Sequence, residues 1–590
     1  MKIKINGREI NCDEGKTIME VAKKNGFEIP GLCYHPDFPA KANCRICLVE
    51  IVGRKRLETS CSTTVTDGME ISTDTKRVKK SRNLNIELIF AEHIEKCPSC
   101  IWRFNCPLLN LAEKYKIEIT RFADRKGKRK IYKFANSVEI DGSQCIDCRN
   151  CLDACNQLQK VNYLKLIGKG TEQEVVPVTE NGNILSRLQK NGVKSDCIYC
   201  GQCALHCPVG AAQEQVHWQL VERALKDKNK VVVAQFAPSI RVSIGEEFGL
   251  PSGKIMSGQV VAGLRKLGFN YVFDVNFGAD ITTIVEAEEL VARIRNNGVL
   301  PLFTSCCPAW IKYLEFFYPE LIPNLTTVRS PQMHSAGLIK TYWAEKMKLN
   351  PKNIVVVSVM PCTAKKFESS RPELKVRGSW PIDYVITTRE FAFLLKKNKI
   401  DFIKLKPSSA DNPIGQFSGA GAIYGTSGGV MESALRTAEY LMQTAQRKVC
   451  DSLNKKTRNK TLLCKSRIEF KDVRGLDGVK EAELDWGKKK IKVAVVNGIG
   501  NIDAVLVNLD QYAYVEVMAC PGGCIGGGGQ PYPTTQEIRA KRLAALYKVD
   551  QTSKIRKAHE NQEALEALKW LKTQGKLEQE LLYTKYKKRS

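Results

Sequence analysis

The chain has 590 residues, 43% hydrophobic and 26% charged, so it is an ordinary globular composition spread over more residues than one core supports. No apolar run approaches the length of a membrane span, and a net charge of +28 without a helix-turn-helix, zinc-finger or RNA-binding signature speaks for an acidic protein partner rather than nucleic acid or a membrane. Twenty-three cysteines behind an N-terminus that reads as strand and turn (MKIKINGREI), not as a secretory or transit segment, describe a reduced cytoplasmic protein whose cysteines bind metal.

Residues 1–78 read as one small domain. KIKI, the Asn6-Gly7 turn and REINC predict a hairpin, and TIMEVAKKNG predicts a short helix capped by Thr17. Cys33, Cys44, Cys47 and Cys61 follow with the spacing C-x10-C-x2-C-x13-C. Four cysteines around a tight pair are rarely scattered structural residues. The segment resembles the [2Fe–2S] β-grasp domain of plant-type ferredoxins, in the variant that heads hydrogenases and complex I subunits, and departs from the ferredoxin C-x4-C-x2-C pattern.

Residues 79–120 carry the helical run NLNIELIFAEHIEKC and the set His93, Cys97, Cys100 and Cys106. His93 stands one turn before Cys97, which on a continuous helix gives both one face. A zinc ion is the chemical competitor for such a set. The H-x3-C-x2-C-x5-C pattern resembles the site where one histidine and three cysteines hold a [4Fe–4S] cluster in hydrogenases and complex I.

Residues 121–225 contain two matching runs, Cys145, Cys148, Cys151, Cys155 and Cys197, Cys200, Cys203, Cys207, each C-x2-C-x2-C-x3-C. Bacterial two-cluster ferredoxins use this spacing twice, with the fourth cysteine of each run ligating the other cluster. Cys145, Cys148, Cys151 and Cys207 are then one ligand set, and Cys197, Cys200, Cys203 and Cys155 the other. Pro208 follows only the second run; Asn156 stands in its place in the first. GAAQEQVHWQLVERALKDKNK predicts a connecting helix.

From 226 to about 560 the pattern alternates strand and helix: VVVAQFAPS, a helix through GQVVAGLRKLG, a strand at YVFDVNFGAD, a helix through VEAEELVARIRNNG, then VLPLFTSCC. This is α/β patterning with buried parallel strands, so the whole chain is a multidomain α+β and α/β protein. Residues 446–468 carry eight basic residues and one acidic and read as a surface insertion; 561–590 reads as a helix followed by the basic tail KYKKRS. Cys307 lies in FTSCCPAW, Cys362 in VMPCTAKKFE, and Cys520 and Cys524 in EVMACPGGCIGGGGQ, each just past an apolar run. Cysteines past strand ends project into the crevice where α/β proteins hold ligands, and four converging thiolates suit an iron–sulfur cluster. Of the remaining cysteines, Cys12 reads as core, and Cys450 and Cys464 in the insertion as incidental.

These motifs resemble the [FeFe]-hydrogenase signatures, and the resemblance covers nearly the whole chain. It implies an H-cluster, a [4Fe–4S] cubane joined through a cysteine sulfur to a diiron subcluster with CO, CN and dithiolate ligands. It also implies one [2Fe–2S] and three accessory [4Fe–4S] clusters. The implied reaction is reversible H2 formation from protons, with an acidic ferredoxin as electron partner, diiron maturation enzymes, and a monomeric chain in the cytoplasm or a hydrogen-producing organelle. Cys306 is implied as proton donor beside the diiron unit; the bland reading is a small buried hydrophobe. Glu286, Glu289 and Arg293, spaced three and four apart on one helix face, would pass as a surface ladder, but the resemblance makes them the proton path. Thr326 falls where the family usually has a serine hydroxyl. Lys365, Pro238 and Ser239 are implied to meet cyanide ligands, Gln332 a carbonyl ligand, and Met360 and Met518 to pack against the subcluster. Ala364 replaces a family serine, and the glycines of CIGGGGQ let backbone approach the cubane. Two rivals remain: a non-catalytic iron–sulfur assembly or electron-carrier relative, which should lose Cys306 or the Lys365 surroundings, and a subunit of an NAD-linked bifurcating complex, which needs a partner chain because no flavin or nucleotide motif is present.

Overall fold

The computed structural model describes residues 1–178, 197–454, 473–486 and 489–589. The protein is a multidomain α/β chain in which small sheet-and-helix units precede a large domain containing parallel strands. Among the described residues no helix is long and apolar enough to cross a membrane.

The first unit is a five-stranded sheet ordered Arg8–Asn11, Lys2–Ile5, Glu70–Ser72, Leu48–Ile51, Glu58–Thr59. Asn6 and Gly7 take φ of 50° and 81°, the left-handed pair that a two-residue hairpin turn needs. Thr17 and Glu20 form a capping box on the helix Ile18–Lys24, whose Ile18, Val21 and Ala22 pack on Ile3, Ile5, Val49 and Ile71. Cys12 lies just past its strand and, half-buried, packs against the edge of this core.

The helix Lys76–Ala91 is tied to the cysteine loop by buried Arg82, which donates to the carbonyls of Ile46, Leu48 and Thr73. This helix ends before His93, and a separate 3₁₀ turn covers Ile94–Ser99. His93 and Cys97 therefore do not share a continuous helical face. Pro98 cannot supply the backbone N–H an α-helix would need there.

In the two-run unit the strands Ala212–Glu214, Val138–Asp141 and Ile131–Phe134 form an antiparallel sheet. The expected connecting helix is thus shorter, Trp218–Lys226, because its first residues are taken by a strand. The runs repeat at backbone level: Asp147 and Tyr199, then Arg149 and Gly201, all take positive φ at equivalent positions. Without a proline, the first run continues as a π turn over Ala154–Leu158; the second leaves its helix at Leu205.

The large domain holds two four-stranded sheets. One is all parallel, ordered Tyr271–Asp274, Val231–Phe236, Ile354–Met360, Tyr384–Thr387. The other runs Leu302–Phe303, Tyr512–Met518, Lys489–Asn497, Val479–Trp486, with the last strand antiparallel. The expected strand at YVFDVNFGAD stops at Asp274. That side chain accepts from the Asn276 N–H and caps a 21-residue helix, Val275–Arg295, buried around its first half. The expected insertion begins within the helix Gly429–Asn454; 455–468 lies outside the described residues. The C-terminal segment packs closely: helix Lys576–Leu582 lies on the helix Pro331–Leu338, helix Gln562–Lys572 lies on Val275–Arg295, and Arg589 pairs with Glu315.

Candidate active site

Parallel strands of both large-domain sheets deliver cysteines to one place. Cys362 follows the strand Ile354–Met360 of the first sheet. Cys307 follows Leu302–Phe303 of the second and caps the helix Pro308–Phe317, while Cys520 follows Tyr512–Met518 and Cys524 sits in the turn Gly523–Gly526. These four cysteines line one apolar cavity with Cys306, Pro238, Gln332, Met360, Lys365 and Met518. None of the described cysteines forms a disulfide. Burial pushes the pKa of the four thiols up, so a metal cation must displace their protons on binding. The donor set fits an iron–sulfur cluster, and Gln332 Oε1, buried without a partner among the described residues, leaves an unused polar atom on a lining residue.

Lys365 is the cation of this wall. Its Nζ donates to the Cys306 carbonyl at 3.0 Å and pairs with Glu368 Oε2 at 2.8 Å; Gln332 Nε2 reaches the same oxygen at 2.6 Å. Burial would lower the Lys365 pKa, but Glu368 outweighs it and holds the ammonium above its ordinary value. Glu368 was not singled out from the sequence, although it stands three residues after Lys365 in CTAKKFE and shares its helix face. Ser239 is not among the lining residues; its hydroxyl accepts from Gln530 Nε2 at 3.2 Å. The glycine loop serves two ends. Gly523 and Gly527 line the cavity, while a Cβ on Gly528 would stand 2.4 Å from the Cys200 carbonyl oxygen, so part of the loop's freedom brings it against protein backbone.

A line of polar groups runs outward from Cys306. Glu286 is fully buried, and that burial pushes its pKa up to about 8, with Glu289 and Glu516 adding to the rise. Tyr514 donates to Glu286 Oε1 at 2.6 Å. Glu289 lies further out, its side chain 14% exposed, and pairs with Arg293 at 2.6 Å. Thr326 Oγ1 donates to Glu289 Oε2 at 2.7 Å, and Thr327 adds its N–H and hydroxyl. Arg293 is fixed in turn by the carbonyls of Val299, Pro323 and Leu325. No sequence signal marks Tyr514, since its partner is 228 positions away.

The remaining cysteines gather in separate places. Cys145, Cys148, Cys151 and Cys207 line one small cavity, and Cys155, Cys197, Cys200 and Cys203 another, so the fourth cysteine of each run stands with the first three of the other. Backbone N–H groups of Asp147 and Tyr199 point at the Cys145 and Cys197 sulfurs at 3.3 and 3.4 Å. The Cys520 thiol lies 4.0 Å from the Cys200 carbonyl, so the second cavity adjoins the large one. His93, Cys97 and Cys100 line a fourth pocket; Cys106 opens the neighbouring helix Pro107–Lys114 and, like Cys97, raises the Cys100 pKa after burial has done most of the work. His93 Nδ1 is hydrogen-bonded to the Gln144 carbonyl at 2.8 Å, which would leave the Nε2 lone pair for a metal. In the first unit Cys33, Cys44, Cys47 and Cys61 are all buried, with Cys47 and Cys61 sulfurs 3.4 Å apart.

Known families match along the chain: a "2Fe-2S iron-sulfur cluster binding domain" at residues 1–76, the "NADH-ubiquinone oxidoreductase-G iron-sulfur binding region" at 82–121 and a "4Fe-4S dicluster domain" at 144–212. The "Iron only hydrogenase large subunit, C-terminal domain" matches 230–528 and the "Iron hydrogenase small subunit" 536–589. The chain is 38% identical to the "NADP-reducing hydrogenase subunit HndD" of Solidesulfovibrio fructosivorans over 100% of its own length and 99% of that protein. It is 39% identical to "Iron hydrogenase 1" of Clostridium pasteurianum over 94% of each. Among solved structures, a variant of apo [FeFe]-hydrogenase HydA1 from Chlamydomonas reinhardtii superposes with a TM-score of 0.52 at 38% identity, covering 62% of this chain and 98% of that one.

Proposed function

The chain belongs to the [FeFe]-hydrogenase family and is a catalytic chain of an oxidoreductase acting on H2; we propose the residue roles, cluster counts and electron partner that follow. Cys307, Cys362, Cys520 and Cys524 would hold the cubane of the H-cluster, and the observation that carries this is their convergence from two sheets on one apolar cavity beside Cys306 and Lys365. When bound, the H-cluster supplies the chemistry of 2H+ + 2e− ⇌ H2. The protein's own residues bind it, exclude water and move protons.

Lys365, fixed by Glu368, presents an ammonium to an anionic ligand, and Gln332 presents a free acceptor oxygen with an amide held in place. Pro238, Met360 and Met518 close the apolar wall. Ser239 would act only through its backbone or by giving up Gln530. Protons enter at Glu289, gathered by Arg293 and Thr326, pass to Glu286, and reach Cys306, a sequence supported by the fall in exposure from Glu289 to Glu286. Electrons enter through a [2Fe–2S] cluster on Cys33, Cys44, Cys47 and Cys61 and a [4Fe–4S] cluster on His93, Cys97, Cys100 and Cys106. They continue through two [4Fe–4S] clusters on the paired cysteine sets, the last of which adjoins the catalytic cavity.

The charge of +28 favours an acidic ferredoxin as donor. Its test is ionic strength: the ferredoxin-linked rate should fall steeply with added salt while the rate with a small dye does not, and equal sensitivity would exclude steering. Likeness to the HndD subunit supports a second reading, a catalytic subunit in an NAD(P)-linked complex. Anaerobic pull-down of a flavin-bearing partner together with H2-dependent NAD(P)+ reduction would establish that reading; an isolated chain fully active with ferredoxin would exclude the need for it.

A further inference from the structure

We propose that Tyr514 is a positioning residue for proton transfer: its phenol clamps one oxygen of Glu286 and thereby assigns the transferable proton to the other. The inference rests on the reading of Glu286 as a proton carrier and goes beyond it.

Tyr514 stands on the strand Tyr512–Met518, four residues before Met518 on the same strand face, so the strand that lines the cavity also supplies this hydroxyl. Its phenol donates to Glu286 Oε1 at 2.6 Å, and among the described residues it is the carboxyl's one hydrogen-bond partner. Oε2 is buried and unpartnered. Burial, and then the neighbouring Glu286, push the phenol's own pKa well up, so Tyr514 remains a donor. Three other groups around Glu286 are engaged elsewhere. Glu289, on the same helix, is taken by Arg293 and Thr326. Glu516 accepts from the Gly428 and Met431 N–H groups, near buried Lys480. The Tyr424 hydroxyl is shared with Thr283. Cys306 interacts electrostatically with Glu286 and Glu516.

With Oε1 engaged as acceptor, a neutral Glu286 carries its proton on Oε2. When the O–H bond at Oε2 breaks, the proton goes to the Cys306 sulfur as its S–H bond breaks and that proton would enter the cavity as the substrate of H2 formation, and the carboxylate left behind is stabilised by the Tyr514 hydroxyl. A proton arriving from the Glu289 side restores the O–H bond. Tyr514 thus makes Glu286 a stronger acid than burial alone would leave it.

The test is Tyr514→Phe in the full chain, which keeps the ring and removes only the hydroxyl. Two quantities are read: the pH profile of H2 evolution, and the infrared C=O band of the Glu286 carboxyl, identified by its loss in Glu286→Gln. The band is also recorded in protein made without the diiron maturation enzymes, so it does not depend on turnover. We expect the alkaline limb to move up by about one pH unit, as loss of a hydrogen bond to an ionised oxygen implies. We also expect a several-fold drop in turnover at pH 7 with the dye KM unchanged, and a shift of the band to higher frequency. An unmoved band and an unmoved pH profile, with Glu286→Gln inactive, would overturn the positioning role while leaving the relay intact. Full turnover in Glu286→Gln would instead remove the relay reading itself.

Discussion

Replacing Glu286 with glutamine separates what this side chain does for catalysis from what it costs the fold. Glu286 is 0% exposed, and burial raises its pKa to about 8 from an ordinary value of 4.5. Below pH 4.5 the group is neutral in both folded and unfolded states and contributes nothing. Between 4.5 and 8 the folded form keeps a proton that the unfolded chain has released, so stability falls as pH rises, by about 1.4 kcal/mol per unit. At pH 7 the accumulated cost is on the order of 3 kcal/mol. Glutamine has nearly the same shape, can still accept from Tyr514 through its carbonyl, and cannot ionise. Glu286→Gln should therefore match the parent protein in stability near pH 4.5 and exceed it at pH 7 by on the order of 3 kcal/mol, while H2 evolution falls at least about 100-fold. Anaerobic urea unfolding at a series of pH values, beside dye-driven H2 assays, measures both. A variant that retains turnover, or a stability gap that does not open with pH, would refute the reasoning.

Other outcomes follow from the same geometry. Cys306→Ala should keep its cubane, since Cys306 is not one of the four proposed ligands, yet lose nearly all turnover, with Cys306→Asp recovering part of it; undiminished H2 release from the alanine variant would remove the relay role. Glu368→Gln leaves buried Lys365 without its counter-charge, a loss of about 3 kcal/mol, and turns the charge-assisted bond from the Gln332 amide into a neutral one. Weaker CO and CN infrared bands after maturation are expected, and wild-type band intensities would contradict this. Cys207→Ser should abolish the EPR signal of the cluster on Cys145, Cys148 and Cys151, and Cys155→Ser that of the cluster on Cys197, Cys200 and Cys203; loss of the opposite signal in each would show that each run closes on itself.

Motifs that carry their chemistry in local spacing were legible from the sequence. The doubled C-x2-C-x2-C-x3-C run, through its likeness to two-cluster ferredoxins, implies which cysteines meet, and the three apolar runs ahead of Cys307, Cys362 and Cys520 locate those residues at strand ends. The helical spacing of Glu286, Glu289 and Arg293 likewise showed a shared face. Elements decided by tertiary context were not legible. VNFGAD has strand-like residues, but the Asp274 cap and burial on several sides make it helix. The run NLNIELIFAEHIEKC is helical only to Ala91; a 3₁₀ turn carrying Pro98 takes its last residues. Ser239 faces Gln530, a contact across 291 positions that no periodicity reveals. Tyr514 was hidden for the same reason, because its hydroxyl acts on another element far along the chain.

The most direct test of the central claim is H2 evolution from reduced methyl viologen, using the full chain expressed anaerobically with and without the diiron maturation enzymes. Vigorous H2 release that disappears without maturation is the predicted result. No H2 from matured protein that carries its full complement of iron–sulfur clusters would contradict the account and require the roles assigned to Cys306, Lys365 and the Glu286–Glu289 path to be withdrawn.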